Sequence, residues 1–335
     1  MNLKRHLFNA INATILGTAG LAGLQSARAE DGALQVKGRV WANYTYDLTK
    51  DAGHQNGFDI YRAFLQADYK FSDEWSTTLL LDGARSTLPS NSLTNYVRNA
   101  YVQNSGLLGE GSTFRFGLQP TGYISTIDAL MKTRWLGKNL VDQAGLVPSQ
   151  DAGASLASKG EVLSYGVALR NGVEGLNSAG NSDNALSFDV WVGAKDLGVK
   201  GLGVTVYNSV ASKPTEGLVG QSSNTLATAL TLNQELLDAA VELSHFRQNK
   251  VNAIGYGVTL NLKATTGAAL YTRFFTGDDN FKTGKLKAKN LVTVGPTYAF
   301  ENGKVLTGLL FESASSNTKG ANAARKILWN WAATF

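Results

Sequence analysis

Residues 61–71 read YRAFLQADYKF, and the type of residue alternates along the whole stretch. One set is apolar with aromatic ends, and the other is mostly polar: Tyr61, Ala63, Leu65, Ala67, Tyr69 and Phe71 against Arg62, Phe64, Gln66, Asp68 and Lys70. Successive side chains of a β-strand point to opposite faces of the sheet. The stretch is therefore predicted to be a strand with one apolar face and one polar, charged face.

The same alternation recurs in about sixteen short segments. Its clearest further instances lie at 36–46, 186–192, 202–206, 237–243 and 292–300. Subtracting a predicted leader of 29 residues from 335 leaves 306, which is about 19 for each segment and its connection. A transmembrane strand needs ~10 residues, so this spacing fits a barrel that crosses a membrane.

Gly, Asn, Asp and Ser separate the segments, and short connections alternate with long ones. Tight turns are predicted at 72–74, 158–160, 197–200, 249–250 and 301–303. Longer polar stretches lie at 47–57, 86–94, 171–183, 212–223, 277–287 and 314–323. Outer-membrane barrels have this rhythm because their periplasmic turns are short and their outer loops are long.

The C-terminal residues 327–335, ILWNWAATF, favour a membrane barrel over a soluble sandwich. A sandwich hides its apolar face and shows the same local alternation. Here every second residue from Ile327 is apolar and the chain ends on Phe335, which resembles the assembly signal of outer-membrane barrels. Aromatic residues also lie at segment ends, as membrane interfaces require. We predict an all-β fold: a transmembrane antiparallel β-barrel of about 16 strands in the bacterial outer membrane.

The composition argues against several other classes of protein. The sequence has no Cys and three His, which excludes disulfides and thiolate sites and leaves few residues for a His-based metal cluster. We therefore expect no metal and no cofactor.

Residues 1–29 are predicted to be a signal peptide, since Lys4 and Arg5 precede an apolar run and Ala27-Arg28-Ala29 is a cleavage site. The leader holds three of the 31 basic residues and no acid. Afterwards 28 basic residues face 26 acidic ones, a balance that does not suit nucleic-acid binding.

Residues 121–150, TGYISTIDALMKTRWLGKNLVDQAGLVPSQ, interrupt the rhythm inside the predicted barrel of residues 30–335. Thirty residues without a strand pattern are usually functional or disordered in a compact fold. The apolar content of this stretch argues against disorder. We therefore predict a partly helical loop that folds inward and constricts the barrel.

Three pairs of stretches resemble the phosphate-selective porins of the O/P type. They are YRAFL (61–65) with DEW (73–75), VRNAYV (97–102) with FRFGLQP (114–120), and PSQDAG (148–153) with YGVALRNG (165–172). The resemblance implies a sixteen-stranded, trimeric porin with an inward-folded loop. Gln150 stands where that family commonly has an arginine, so the anion preference that we expect is mild.

A water-filled barrel passes small hydrophilic solutes, and the fixed charge on its lumen sets ion preference. Arginine suits an anion path because its guanidinium stays charged. The predicted pore-lining residues are Arg39, Trp41, Arg62, Arg98, Arg115, Lys132, Arg134, Lys138 and Asp151. We predict an outer-membrane porin with a mild preference for anions such as phosphate, whose partners are membrane lipid, small solutes and further copies of itself in a homotrimer.

The basic residues also fit a structural role. Arginines that pair with Asp68, Asp82, Asp128, Asp142 or Asp151 would brace the inward loop rather than attract solutes. Asp151 itself, just after the loop, is predicted to be a loop anchor. The sequence leaves the two roles equally open.

Other functions stay open as well. Trp41, Tyr123 and Trp135 suit either a track for sugars in a carbohydrate or neutral-solute porin, or packing of the loop. A non-conducting barrel for adhesion or envelope structure would show the same strands. An enzyme is disfavoured because Ser244 and His245, the best catalytic candidates, are adjacent in a strand and point to opposite faces.

Overall fold

A computed structural model shows a closed barrel of sixteen antiparallel strands, which confirms the predicted fold class. The strands are β1 (Gln35–Asp47), β2 (Gly57–Lys70), β3 (Trp75–Arg85), β4 (Leu93–Ser105), β5 (Ser112–Pro120), β6 (Gln150–Lys159), β7 (Leu163–Arg170), β8 (Leu186–Lys195), β9 (Leu202–Thr215), β10 (Leu218–Asn233), β11 (Leu237–Gln248), β12 (Val251–Lys263), β13 (Ala268–Gly277), β14 (Asn290–Phe300), β15 (Val305–Ala314) and β16 (Ala324–Thr334). Each strand pairs with its neighbours in sequence, and β1 closes the ring by pairing with β16.

The structure describes residues 34–335 except 51–55, 86–92, 172–185, 216–217, 249–250, 265–266, 279–289 and 316–321. The predicted signal peptide lies outside the described residues. Two helices, α1 (Gly122–Met131) and α2 (Leu140–Gln143), lie between β5 and β6. Neither helix, nor any other in the described ranges, has the length and apolarity to span a membrane.

The outer surface of the barrel carries the apolar half of each alternation. In β8, Phe188 and Val190 are exposed on the outside, whereas Ser187 and Asp189 are buried inside. The same division holds in β11, where Leu243 is exposed and Ser244 is buried. A closed barrel with an apolar outer belt is stable only where lipid covers that belt.

One predicted connection is mostly strand. The sequence predicts a polar loop over 212–223, but β9 continues to Thr215, β10 starts at Leu218, and Ser212 pairs with Ser222. β10 has 16 residues, more than the ~10 that a bilayer requires.

Two β-bulges break the alternation on the wall formed by β1–β4. Trp41 pairs with Arg62 and Ala42 pairs with Ile60, so Tyr61 is an extra residue in β2. The bulge turns Tyr61 inward beside Arg62, although the sequence pattern predicts it on the apolar outer face. Arg98 is the extra residue of a second bulge, in β4. An extra residue shifts the phase of alternation by one, and simple counting therefore fails on both strands.

Candidate functional site

The segment between β5 and β6, residues 121–149, is here called the inner segment. Its helix α1 buries Tyr123, Ile124, Ile127 and Met131 on one face, and it ends at Lys132, whose backbone is left-handed (φ 55°). The short helix α2 is capped by Asn139, whose side chain accepts from the Asp142 N–H at 3.1 Å. Apolar residues at helical spacing thus give this segment a face that needs a wall to pack against.

Inward-facing groups from several walls of the barrel contact the inner segment. The Tyr61 hydroxyl of β2 donates to the Trp135 carbonyl at 2.7 Å, and the Arg273 guanidinium of β13 donates to the Lys138 carbonyl at 3.2 Å. On β11, both carboxylate oxygens of Glu242 accept from the Leu140 N–H, at 3.1 and 3.2 Å. Contacts from strands on opposite sides of the ring place the inner segment within the barrel.

A buried ionic cluster holds the first residue of the inner segment, Thr121, against the barrel wall. Arg170 donates to the Thr121 hydroxyl at 2.6 Å and to the Tyr207 hydroxyl at 3.2 Å, and it forms an ion pair with Asp189. Tyr207 in turn donates to Asp189 at 3.0 Å, and its ring lies 5.5 Å from the Tyr123 ring of α1. Charge this deeply buried is costly unless it is paired, and the pairing of Arg170 with Asp189 offsets that cost.

A cavity of about 230 Å³ lies between the inner segment and the wall of β1–β4. We call it the basic cleft because five basic side chains line it: Lys37, Arg39, Arg62, Arg98 and Arg134. Asp128 is the one acidic residue among its described lining, and Trp41, Phe64 and Leu80 supply apolar walls. Arg39 is exposed and lies 6.0 Å from the centre of the Trp41 ring, with no carboxylate within ion-pair distance among the described residues.

Asp82 is the negative counter-charge of Arg62 and Arg98, the two arginines that lie at the bulges of β2 and β4. One of its carboxylate oxygens accepts from Arg62 at 2.5 Å, from Arg98 at 3.0 Å and from the Tyr96 hydroxyl at 2.7 Å. Asp82 is fully buried, whereas both arginines keep part of their surface exposed. Two positive charges thus share one negative charge, and a positive excess is left toward the lumen.

On the inner segment, Arg134 braces two carboxylates. It lies 3.5 Å from Asp128 and forms an ion pair with Asp142, which also accepts from Lys138 at 3.0 Å. Burial raises the pKa of Asp128 above its ordinary value, and the nearby Arg134 offsets this only in part. Burial acts on Asp142 too, but Arg134 and Lys138 outweigh it and hold the pKa of Asp142 below its ordinary value.

A larger cavity, of about 730 Å³, lies on the other side of α1 against β5–β10. We call it the hydroxyl chamber because eleven hydroxyl and amide side chains line it: Thr113, Gln119, Ser125, Thr126, Ser155, Ser158, Ser164, Tyr165, Thr205, Thr231 and Asn233. Arg115 also lines it, held by Gln103 at 2.8 Å and by the Tyr101 ring at 5.2 Å. The two cavities share no lining residue.

The predicted pore-lining residues therefore divide between several places. Arg39, Trp41, Arg62, Arg98 and Arg134 line the basic cleft, and Arg115 lines the hydroxyl chamber. Lys132 is exposed at the end of α1, Lys138 pairs with Asp142, and Asp151 is fully buried at the start of β6.

Sequence reasoning missed the residues that hold the inner segment in place, namely Arg170, Glu242 and Arg273. A signal was available, since each is a charged residue at an inward position of an alternating strand. The aromatic residues weighed as a sugar track, Trp41, Tyr123 and Trp135, are all buried and pack the segment instead. As predicted, Ser244 is buried inside while its neighbour His245 lies on the outer face between Leu226 and Ile254. No cluster of potential metal ligands occurs within the described ranges.

No protein-family model matches this sequence, and neither does any curated protein. Solved structures with the same fold include OmpF of Salmonella typhi in complex with daunomycin, at 12% identity and a TM-score of 0.66 over 90% of this chain and 97% of that one. An anion-selective porin from Comamonas acidovorans is 10% identical, with a TM-score of 0.65 over 91% and 100%. The trimer form of OmpT of Vibrio cholerae is 12% identical, with a TM-score of 0.59 over 91% and 99%.

At these identities the likeness shows the fold. Together with the apolar outer belt, it makes the chain an outer-membrane β-barrel with the architecture of the porins. The resemblance to phosphate-selective porins stays a prediction.

Proposed function

We propose that the chain is an outer-membrane porin through which small hydrophilic solutes diffuse, with a mild preference for anions such as phosphate. The observation that carries the proposal is the basic cleft, where five basic side chains and one acidic residue line a cavity between the inner segment and the wall of β1–β4. Fixed charge of one sign in a water-filled path raises the local concentration of the opposite ion. In this proposal the inner segment is the constriction, and the chain is not an enzyme.

Three features support a mild preference rather than a strict one. Asp82 neutralises part of the charge of Arg62 and Arg98, and Asp68 lies 3.2 Å from Lys37. Arg134 is committed to Asp128 and Asp142. Arg39 is thus the least compensated cation of the cleft. We also propose a homotrimer in outer-membrane lipid, on the strength of the sequence resemblance and of the trimeric OmpT with the same fold.

Arg39→Glu tests the proposal without breaking an ion pair. The variant changes the charge of the narrow cleft by two, and the anion-to-cation permeability ratio is expected to fall about five- to tenfold. The ratio is measured from the reversal potential in a potassium chloride gradient across a planar bilayer. Arg115→Glu makes the same change in the wider hydroxyl chamber and is expected to have a smaller effect, and Lys200→Glu in an exposed turn is expected to have none.

Other outcomes distinguish the alternatives. Cation preference in the unaltered protein would remove the anion claim, and folded protein without any conductance would favour a barrel for adhesion or envelope structure. A reversal potential without anion preference, together with current block by oligosaccharides, would favour a neutral-solute porin.

A further inference from the structure

We propose that the hydroxyl chamber is a binding subsite for uncharged polyhydroxylated solutes, that is, mono- to trisaccharides. The inference goes beyond the proposed anion preference and rests on the proposed function only in that solutes enter the barrel. It uses none of the aromatic residues that the sequence suggests for sugars.

The hydrogen-bonding polarity of the chamber is the first argument. A hydroxyl has one donor and two acceptor lone pairs. Ser125 and Thr126 of α1 both donate to the Gly122 carbonyl, at 3.0 and 2.8 Å, and Ser164 donates to the Gly193 carbonyl at 3.3 Å. Ser155 likewise donates to the Gln119 side chain at 2.5 Å. With their hydrogens engaged, these oxygens present acceptors, and the chamber is matched by a ligand that is rich in donors.

The charged residues that line the chamber limit which kind of donor-rich ligand can bind there. Arg115, Lys159 and Lys195 line it together with Asp196, and the buried Arg170 is already paired with Asp189. This positive excess disfavours ammonium groups, which are the charged donors of small solutes. An anion is attracted by the charge but meets oxygens that offer it lone pairs. The hydroxyl groups of a neutral solute can donate to these oxygens, and they carry no positive charge that the lining would repel.

Size and shape agree with this class of ligand. A volume of about 730 Å³ falls within the ~300–1,000 Å³ that is usual for small-molecule sites. The half-buried Trp191 ring packs on Gly122 and Gly166, where added Cβ atoms would lie 2.8 and 2.1 Å from it. This packing holds an apolar edge at the chamber wall, against which the C–H groups of a sugar can be buried.

The test uses the full chain in planar bilayers with maltotriose as the probe. We expect maltotriose to reduce the ion current in a saturable way, and poly(ethylene glycol) of equal hydrodynamic radius to reduce it without saturation. In the double variant Ser125→Ala/Thr126→Val, which removes two acceptors without adding bulk, half-maximal block should need an about tenfold higher concentration. Thr45→Val, the same chemistry at an inward position outside the chamber, should leave the block unchanged.

A second variant separates binding from altered local packing. Ala129→Trp adds a large side chain on the chamber face of α1 and should abolish the block while leaving the reversal potential in a salt gradient unchanged. Non-saturable reduction in the unaltered protein, or block that survives both changes, would overturn the proposal. If the folded barrel does not conduct at all, the proposed function fails, and titration calorimetry of maltotriose into the micellar protein then decides the subsite independently.

Discussion

The basic cleft and the hydroxyl chamber lie in one barrel but differ in chemistry. The cleft presents mainly guanidinium and ammonium donors, whereas the chamber presents many hydroxyl groups, of which Ser125, Thr126, Ser155 and Ser164 have their hydrogens engaged. The cleft has about 230 Å³ and the chamber about 730 Å³. The comparison shows that a single strand pattern, polar inside and apolar outside, leaves the selectivity of the lumen to local features.

Two physical features produce the difference. On the wall of β1–β4, bulges add inward side chains, and large residues such as Trp41 and Phe64 fill space beside the arginines. On the wall of β5–β10, small residues such as Gly193, Gly203 and Ala168 leave space open. The inner segment lies between these walls and presents a different face of α1 to each cavity.

Arg170→Met should have the largest effect, because it releases the inner segment from its base. Asp189 would remain buried without its partner, and the free energy of unfolding should fall by about 3–5 kcal/mol. Urea unfolding in detergent micelles measures this, and Arg247→Met on the exposed outer face of β11 is the control. The two cavities should also lose their distinct behaviour in bilayer recordings. Unchanged stability and unchanged conductance would mean that the other contacts suffice to hold the segment.

Asp82→Asn sharpens the comparison by changing only the cleft. Arg62 and Arg98 would lose their shared counter-charge, and the anion-to-cation permeability ratio should rise about threefold. The same change in Asp196, on the lining of the chamber, should leave the reversal potential within error of the parent. A ratio that stays constant in Asp82→Asn would show that the two arginines only brace the wall.

A change of pH should have the smallest effect. The pKa of Asp128 is raised by burial, so this carboxylate is the first of the inner segment to be neutralised as the pH falls from 7 toward 4. Loss of the cleft's acidic lining residue should raise the anion-to-cation ratio about twofold, while saccharide block in the chamber stays constant. Asp128→Asn should reduce the pH dependence of the ratio.

The pKa of Asp142 is shifted in the opposite direction from that of Asp128. Its pKa is lowered by Arg134 and Lys138, and it therefore stabilises the fold above the pKa it has when unfolded. That contribution is lost only as the pH falls through its lower folded pKa. Asp142→Asn should leave the change in selectivity between pH 7 and 4 in place. If it removes that change, the titrating group has been wrongly assigned.

The strand count, the position of the inner segment and the faces of strands without a bulge could be predicted from the sequence, because each depends on neighbours along the chain. The faces of β2 and β4 could not, since each strand holds one extra residue. Leu243 and Ser244 take opposite faces simply because they are adjacent. Residues 121–150 stand out because they lack the alternation of the surrounding strands. Arg39, Arg62, Arg98 and Arg134 of the cleft are among the predicted pore-lining residues.

What the sequence determined by itself is thus a membrane barrel with a polar interior, since alternation at period two is a local property that fixes which side chains meet lipid. Tertiary structure alone decided that Arg62 and Arg98 share Asp82, that Arg134 is a brace, and that Arg115 lies in another cavity. For Arg62 and Arg98 the physical reason is that one extra residue in β2 and in β4 shifts the phase of the pattern. Pairing across strands and around the inner segment, and not spacing along the chain, then sets which charges remain free.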